Sequence, residues 1–211
     1  AQTKDDAIDK SNLTAEEKAD LKKQVAGEVK TAKSNIDAAT KDTDVKTAQT
    51  TGEKAINNIN VPATSATKDA AKNAIDQAAK AKNAAIDASN LTAEEKADLK
   101  KQVAGEVQTA KSNIDAATKD TDVKTAQTTG EKAINNINVP DTSATKDAAK
   151  DAIDQAAKTK DAAIDASNLT AEEKDTLKQK VAGEVNKAKS NIDAATKDAD
   201  VKTAQTNGEQ A

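Results

Sequence analysis

The sequence contains no cysteine, histidine, methionine, phenylalanine, tyrosine or tryptophan. Each absence removes a kind of chemistry. Without Cys and His, the usual thiolate and imidazole ligands for zinc and copper are gone. Without His, the commonest general base and the natural switch of neutral pH are gone. Without aromatics there is no stacking platform for bases or sugars, and few anchors for a tight interface. No disulfide staples the fold, whatever compartment it occupies. Large apolar residues are also few: 12 Ile, 11 Val and 6 Leu among 211 residues. That is below the roughly 20% at which disorder becomes a serious reading. No run of about 18 apolar residues exists to span a membrane, and no secretion or sorting signal is visible.

Charge, by contrast, is abundant and nearly balanced. There are 32 Lys+Arg against 36 Asp+Glu, a formal −4. A nucleic-acid binder needs a positive excess, which is absent, so the charge is a solvated surface. The small net charge, the high Ala content and a helical apolar period all weigh against disorder.

The dominant feature is an internal repeat. Leu13 opens LTAEEKADLKKQVAGEV, Leu91 opens the same string, and Leu169 opens LTAEEKDTLKQKVAGEV, which makes a repeat of 78 residues. Residues 13–90 and 91–168 differ at five positions: Lys30/Gln108, Ala63/Asp141, Asn73/Asp151, Ala81/Thr159 and Asn83/Asp161. None of these touches a Leu, Ile or Val. The two prolines, Pro62 and Pro140, disfavour helix just before them. They place unit boundaries that divide the chain into a partial repeat (1–62), a complete one (63–140) and one truncated near its end (141–211).

Three helices are expected per repeat. In the central copy the first covers about Ser65–Ala88. Ile75 and Ile86 lie on one face with Ala71, Ala78, Ala79 and Ala85 around them, and Asp76 and Lys80 form an i,i+4 pair. The second covers about Ala93–Ala117, with Leu99, Val103, Val107, Ala110, Ile114 and Ala117 as its stripe. Thr92 and Glu95 give it a capping box, repeated at Thr14/Glu17 and Thr170/Glu173. The third covers about Thr121–Asn138, with Val123, Ala126, Gly130, Ala133 and Ile137 aligned, Ile134 beside them, and Asp120 as N-cap; Thr121 competes for that place, but the third copy has Ala199 there and keeps Asp198. The first copy keeps only the tail of its first helix, about Thr3–Lys10, and its bundle is expected to fray. Gly130 lies on the stripe, which suits either a close helix approach or a hinge. Gly105 lies off its stripe, between Val103 and Val107, with no evident role.

Loops of three residues, such as Ser89-Asn90-Leu91 and Thr118-Lys119-Asp120, make neighbouring helices antiparallel. Three helices carry the chain from one end of a bundle to the other, so the next unit must begin beyond it. The expected fold is all-α: tandem three-helix bundles stacked end to end into an elongated rod. Grouping each second and third helix with the following first helix also satisfies the period.

Candidate sites fare poorly. Asp42, Asp44 and Glu53 have the 1, 3, 12 spacing of a calcium loop, but Lys46 stands at the fifth ligand and Thr47 where Gly is needed. Asp42 reads better as a helix cap. The sequons at Asn12, Asn90 and Asn168 are explained by Thr as N-cap. Glu16-Glu17 and its copies suit the dipole of their own first turn. No nucleophile, base and orienter assemble, and no phosphate loop exists. No catalytic, cofactor-binding or metal residue is expected, and the chain is not expected to be an enzyme.

The run LTAEEKADLKKQVAGEVQTAKSNIDAATKDTDVKTAQTTGEKAINNI, preceded by KDAAKNAIDQAAKAKNAAIDA, resembles the domain-of-unknown-function 1542 repeats of cell-wall-anchored surface proteins of Gram-positive bacteria. These include staphylococcal and lactobacillal adhesins. The most specific parts are the T-x-EEK start, the NIDAAT…DV turn and the G-x-x-AI-x-x-I ending. The resemblance implies an extracellular stalk that carries an adhesive region away from the wall, with a role in aggregation or biofilm. A fainter likeness to the three-helix modules of giant matrix-binding proteins implies the rival reading, a multivalent module for host matrix or plasma proteins. Neighbouring repeats are the expected partners, with neither nucleic acid nor membrane insertion.

Overall fold

The computed structural model describes residues 1–211 and is all-helical. The helices are α1 (Gln2–Lys10), α2 (Ala15–Ala38), α3 (Asp42–Asn57), α4 (Ala66–Ala88), α5 (Ala93–Ala116), α6 (Asp120–Asn135), α7 (Ala144–Asp165), α8 (Ala171–Ala194) and α9 (Asp198–Gln210). Each repeat contributes three in order, and the fold is a tandem series of three-helix bundles. No helix is long and apolar enough to cross a membrane. The third helix stops earlier than its apolar spacing suggests: α6 ends at Asn135 rather than near Asn138.

The chain divides into two compact units, Ala1–Ala79 with Gly105–Asn135 and Lys80–Ala104 with Asn136–Ala211. In the first, α1 packs on α2 and α2 on α3. Ile8, Val25 and Ile56 form the core there, flanked by Leu21, Val29, Ile59 and Val61. Short α1 is anchored by more than its apolar face: the Lys4 ammonium donates to the carbonyls of Asn57 and Ile59, both at 2.9 Å. The same unit holds buried Ala71, Ile75, Ala110, Ile114, Val123 and Ile134. Of the alanines expected around Ile75, Ala71 and Ala79 are buried, Ala78 is half-buried and Ala85 is exposed. In the second unit α7, α8 and α9 pack mutually. Their core is Ala149, Ile153, Ala188, Ile192, Ala195 and Val201, with Val185 and Ala204 beside it.

Ion pairs show the antiparallel register. In the first unit Lys72 pairs with Asp115 and Lys111 with Asp76, the latter at 2.6 Å. Stepping forward along α4 means stepping back along α5. In the second unit Lys150 pairs with Asp193, Lys189 with Asp154 at 2.7 Å and Lys178 with Asp165 at 2.6 Å. Asp76 therefore reaches across to Lys111 instead of pairing along its own helix with Lys80. A cross-helix partner fixes packing as well as charge. These exposed pairs each contribute at most about 1 kcal/mol, so they set register more than stability.

The thin apolar stripe demands close backbones, and glycine provides them. A Cβ at Gly130 would collide with Ala110 Cβ and lie 2.8 Å from Ile75 Cδ1. Gly208 stands in the same relation to Ala188 and, at 2.8 Å, to Ile153 Cδ1, and Gly52 meets Ala32. These positions are close helix approaches. Gly27, Gly105 and Gly183 have nothing within 4 Å of a built Cβ, and we have no physical account of them.

The two glycine classes should respond oppositely to alanine. Gly105→Ala gains helix propensity of about 0.5–1 kcal/mol without a clash and should stabilise. At Gly130 overpacking of about 1–3 kcal/mol outweighs that gain, so Gly130→Ala should destabilise by about 1–2 kcal/mol. Urea unfolding of the two variants checks this, and equal shifts of one sign would contradict it.

Candidate functional site at the joints between repeats

Every α-helix begins with backbone N–H groups that have no partner within the helix. The start of α2 solves this partly within itself. Thr14 is the N-cap: its hydroxyl accepts from the Glu17 amide at 3.3 Å, and Glu17 Oε2 accepts from the Thr14 amide at 2.9 Å. This is the capping box the spacing predicts. The remaining contacts reach into the next repeat. Glu17 Oε1 accepts from the Thr67 amide at 3.1 Å, in the first turn of α4. Glu16 Oε2 accepts from the Asp120 amide at 3.0 Å, the first residue of α6. The Ala15 amide donates to the Thr118 carbonyl at 2.8 Å, just past the end of α5.

The joint thus gathers three helix N-termini, those of α2, α4 and α6, around two neighbouring carboxylates. Each terminus carries roughly half a positive charge, and an anion there contributes about 0.3–1 kcal/mol, more when partly buried. The other polarity is served as well. The Lys68 side chain, only 9% exposed, donates to the Asp115 carbonyl at 2.8 Å in the last turn of α5. Cations and donors belong at that end of a helix. Ser65 caps α4, its hydroxyl accepting from the Lys68 amide at 3.1 Å.

The second unit repeats this arrangement. Glu95 accepts from the Thr92 amide at 2.9 Å and the Thr145 amide at 3.1 Å. Glu94 accepts from the Asp198 amide at 3.0 Å. The Ala93 amide donates to the Thr196 carbonyl at 2.8 Å, and Lys146 donates to the Asp193 carbonyl at 2.9 Å. The third start, at α8, has the Thr170/Glu173 box alone. Exposure tracks the difference: Leu13 and Leu91 are each 5% exposed, whereas Leu169 is 40% exposed.

Burial tends to raise the Glu17 and Glu95 carboxyls. Hydrogen bonds from the Thr14 or Thr92 backbone, the Ser65 or Ser143 hydroxyl and the Thr67 or Thr145 backbone outweigh it and hold both groups below their ordinary value. Glu173 is lowered too, by the backbone and hydroxyl of Thr170.

One sequence expectation needs correcting here. Asp42, Asp120 and Asp198 are the first residues of α3, α6 and α9, not their N-caps. The cap positions of α3 and α9 are Lys41 and Lys197, without side-chain cap bonds. For Asp120 and Asp198 the orphan amide is met from outside by Glu16 and Glu94, so no local cap is required. The Glu16-Glu17 pair lies in the first turn of α2 as expected, and it also accepts from the amides that open α4 and α6. Asp42, Asp44 and Glu53 lie along one continuous helix, which cannot wrap a cation as a loop does. Thr14 and Thr92 are fully buried and act as caps. Leu13 and Leu91 lie in loops, outside any stripe, and sequence periodicity could not reveal their burial.

Because their folded-state values are lowered, Glu17 and Glu95 contribute stability above the ordinary carboxyl value of 4.5. That contribution is lost as pH falls through the lower folded value. Melting temperature should therefore fall on titration from pH 6 toward pH 3. Glu95→Gln should flatten that fall more than Glu173→Gln, and should cost about 1–2 kcal/mol at pH 7. Equal effects of the two substitutions would contradict a role across the joint.

A family model described as Domain of Unknown Function (DUF1542) matches residues 1–64, 67–142 and 145–211. No curated protein matches, and no solved structure matches. The three matched copies cover nearly the whole chain, and the chain belongs to the DUF1542 family.

Proposed function

We propose that this chain is a structural spacer: a segment of a bacterial cell-surface stalk that holds an adhesive region away from the cell wall, not an enzyme. The observation that carries the reading is the joint. The start of the second helix of one repeat is bonded to the start of the first helix, the end of the second and the start of the third helix of the next. Such a joint adds one repeat beyond another and can be used any number of times. It occurs twice with the same atoms and nearly the same distances, at Glu16/Glu17 and Glu94/Glu95.

Chemistry points the same way. The polar groups of the joint are spent on helix ends, leaving no pair set aside for acid–base work. Repetition with near identity suits a spacer, whose product is length. The surface setting, the wall anchorage and a part in aggregation or biofilm rest on the family resemblance.

Length is the property to measure. Helices of 24 residues span about 36 Å each, so three repeats in line reach about 105–110 Å. A rod of that length has a radius of gyration of about 30 Å or more, whereas a globule of this size has about 17 Å. Small-angle scattering near 30 Å is expected, and a value near 17 Å would remove the stalk reading.

A further inference from the structure

Where the start of α5 meets the start of α7, the second joint leaves a groove of about 460 Å³. Leu91 and Leu99 line it from the α5 side, and Pro140 and Ala144 from the α7 side. Leu91 is buried, Leu99 is half-buried, and Pro140 and Ala144 are exposed. The groove is therefore an apolar hollow open to solvent. Three carboxylates line it as well, Glu95, Asp98 and Asp147, and no lysine does. It lies at a joint with a repeat on either side, between helices of 24 and 22 residues.

The charge of the groove is not used up by the fold. Glu95 is committed to the Thr92 and Thr145 amides. Asp147 accepts only a neutral donor, the Thr142 hydroxyl at 2.7 Å. Asp98 is exposed and takes part in none of the ion pairs. An adjoining hollow shares Thr142 and Asp147 and adds Asp141. Its two lysines are both engaged at Asp193: Lys146 donates to the carbonyl at 2.9 Å, and Lys150 pairs with the carboxylate. The positive ends of α5 and α7 are answered by Thr92, Ser143 and Glu95. The surplus is negative. No group of three acidic residues here could hold a metal ion, and a bare ion gains nothing from an apolar lining. The chemistry that fits is an organic cation carried on an apolar body.

We propose that the joint groove is a docking site for a cationic amphipathic segment of a partner protein. A Leu or Ile of the segment sits among Leu91, Leu99, Pro140 and Ala144. A Lys or Arg on either side of it faces Asp98 and Asp147. The apolar contact supplies affinity, and the carboxylates supply charge selection and a faster encounter. The first joint carries the same eight residues 78 positions earlier, Leu13, Asp20 and Leu21 among them. Its Thr64 hydroxyl likewise donates to Asp69 at 2.7 Å. Ala63 stands there in place of Asp141, so the second joint is the more acidic and binds the more tightly. One groove per joint lets a partner with several such segments bind by avidity.

The test uses the intact chain with labelled Ile, Leu and Val methyl groups. The probe is the capped peptide Lys-Lys-Leu-Ile-Lys-Lys, with Glu-Glu-Leu-Ile-Glu-Glu as its charge-reversed control. The expected result is a saturable chemical-shift change at Leu91 and Leu99, then at Leu13 and Leu21 at higher peptide concentration. Ile153 and Ile192 of the buried seam should stay unmoved. Raising salt from about 50 to about 300 mM should weaken the basic peptide severalfold. Asp98→Lys should weaken it about fivefold or more at Leu91 and Leu99. The same variant should leave Leu13 and Leu21 titrating as before, which shows that the chain is still folded. No saturable shift at millimolar basic peptide would overturn the proposal. Equal shifts with the acidic peptide, or an Asp98→Lys chain that binds as tightly as the original, would overturn it too. Shifts that grow with protein concentration in the absence of peptide would mark a second copy as the occupant and would also overturn it. The outcome is independent of the stalk reading, because peptide capture is read by site and scattering by length.

Discussion

Two adjacent carboxylates, Glu16 and Glu17 in the first joint and Glu94 and Glu95 in the second, bind the amides that open helices in the following repeat. The rest of the arrangement depends on this. An odd number of helices per repeat brings the start of one second helix against the starts of the next first and third helices. Three like dipole ends would repel each other if left bare. Placing acidic residues at the second and third positions of the second helix turns that repulsion into attachment. The same residues complete a local capping box, so the helix forms its start and its joint with one side chain.

The bundles themselves are slight. With Ala, Val and Ile in place of Leu and aromatics, each seam buries little apolar surface, and small cores of this kind are marginal alone. The structure compensates by proximity. Gly52, Gly130 and Gly208 sit against Ala32, Ala110 and Ala188, which lets backbones approach where larger residues could not. Cross-helix ion pairs keep α4 against α5 and α7 against α8 in antiparallel register. Repeats that cannot gain much from their own interiors gain from the joints, as expected for repeat proteins. Leu13 and Leu91, which directly precede the two joints, are both buried.

Much of this was legible in the sequence because it is local. The 78-residue period, the Thr-x-x-Glu box, the stripe through Val103, Ala110 and Ile114 and the break at Pro140 all depend on residues near one another in the chain. The joint was not legible, for the opposite reason. Glu16 and the Asp120 amide are 104 positions apart, and Glu17 and Thr67 are 50. A capping box that already explains Glu17 locally hides its second oxygen. Asp120 looked like a cap because Asp at a helix start usually is one, yet its amide is met by a glutamate from the previous repeat. Asp76 likewise had a plausible partner in Lys80, and only packing reveals Lys111. Gly130 showed its stripe position but not which of two roles it played. Its nearness to Ala110 and Ile75 decides for close approach.

The joint hydrogen bonds can be read directly by amide exchange. The amides of Ala15 and Ala93 donate to carbonyls of the following repeat, whereas that of Ala171 opens α8 without such an acceptor. All three are the first residues of equivalent helices with identical flanking sequence, Leu-Thr-Ala-Glu-Glu-Lys. Site-resolved hydrogen exchange by NMR at neutral pH should find Ala15 and Ala93 strongly protected and Ala171 exchanging near the rate of an open chain. If all three exchange alike, the repeats are not held by these contacts, and the account of the joint is wrong.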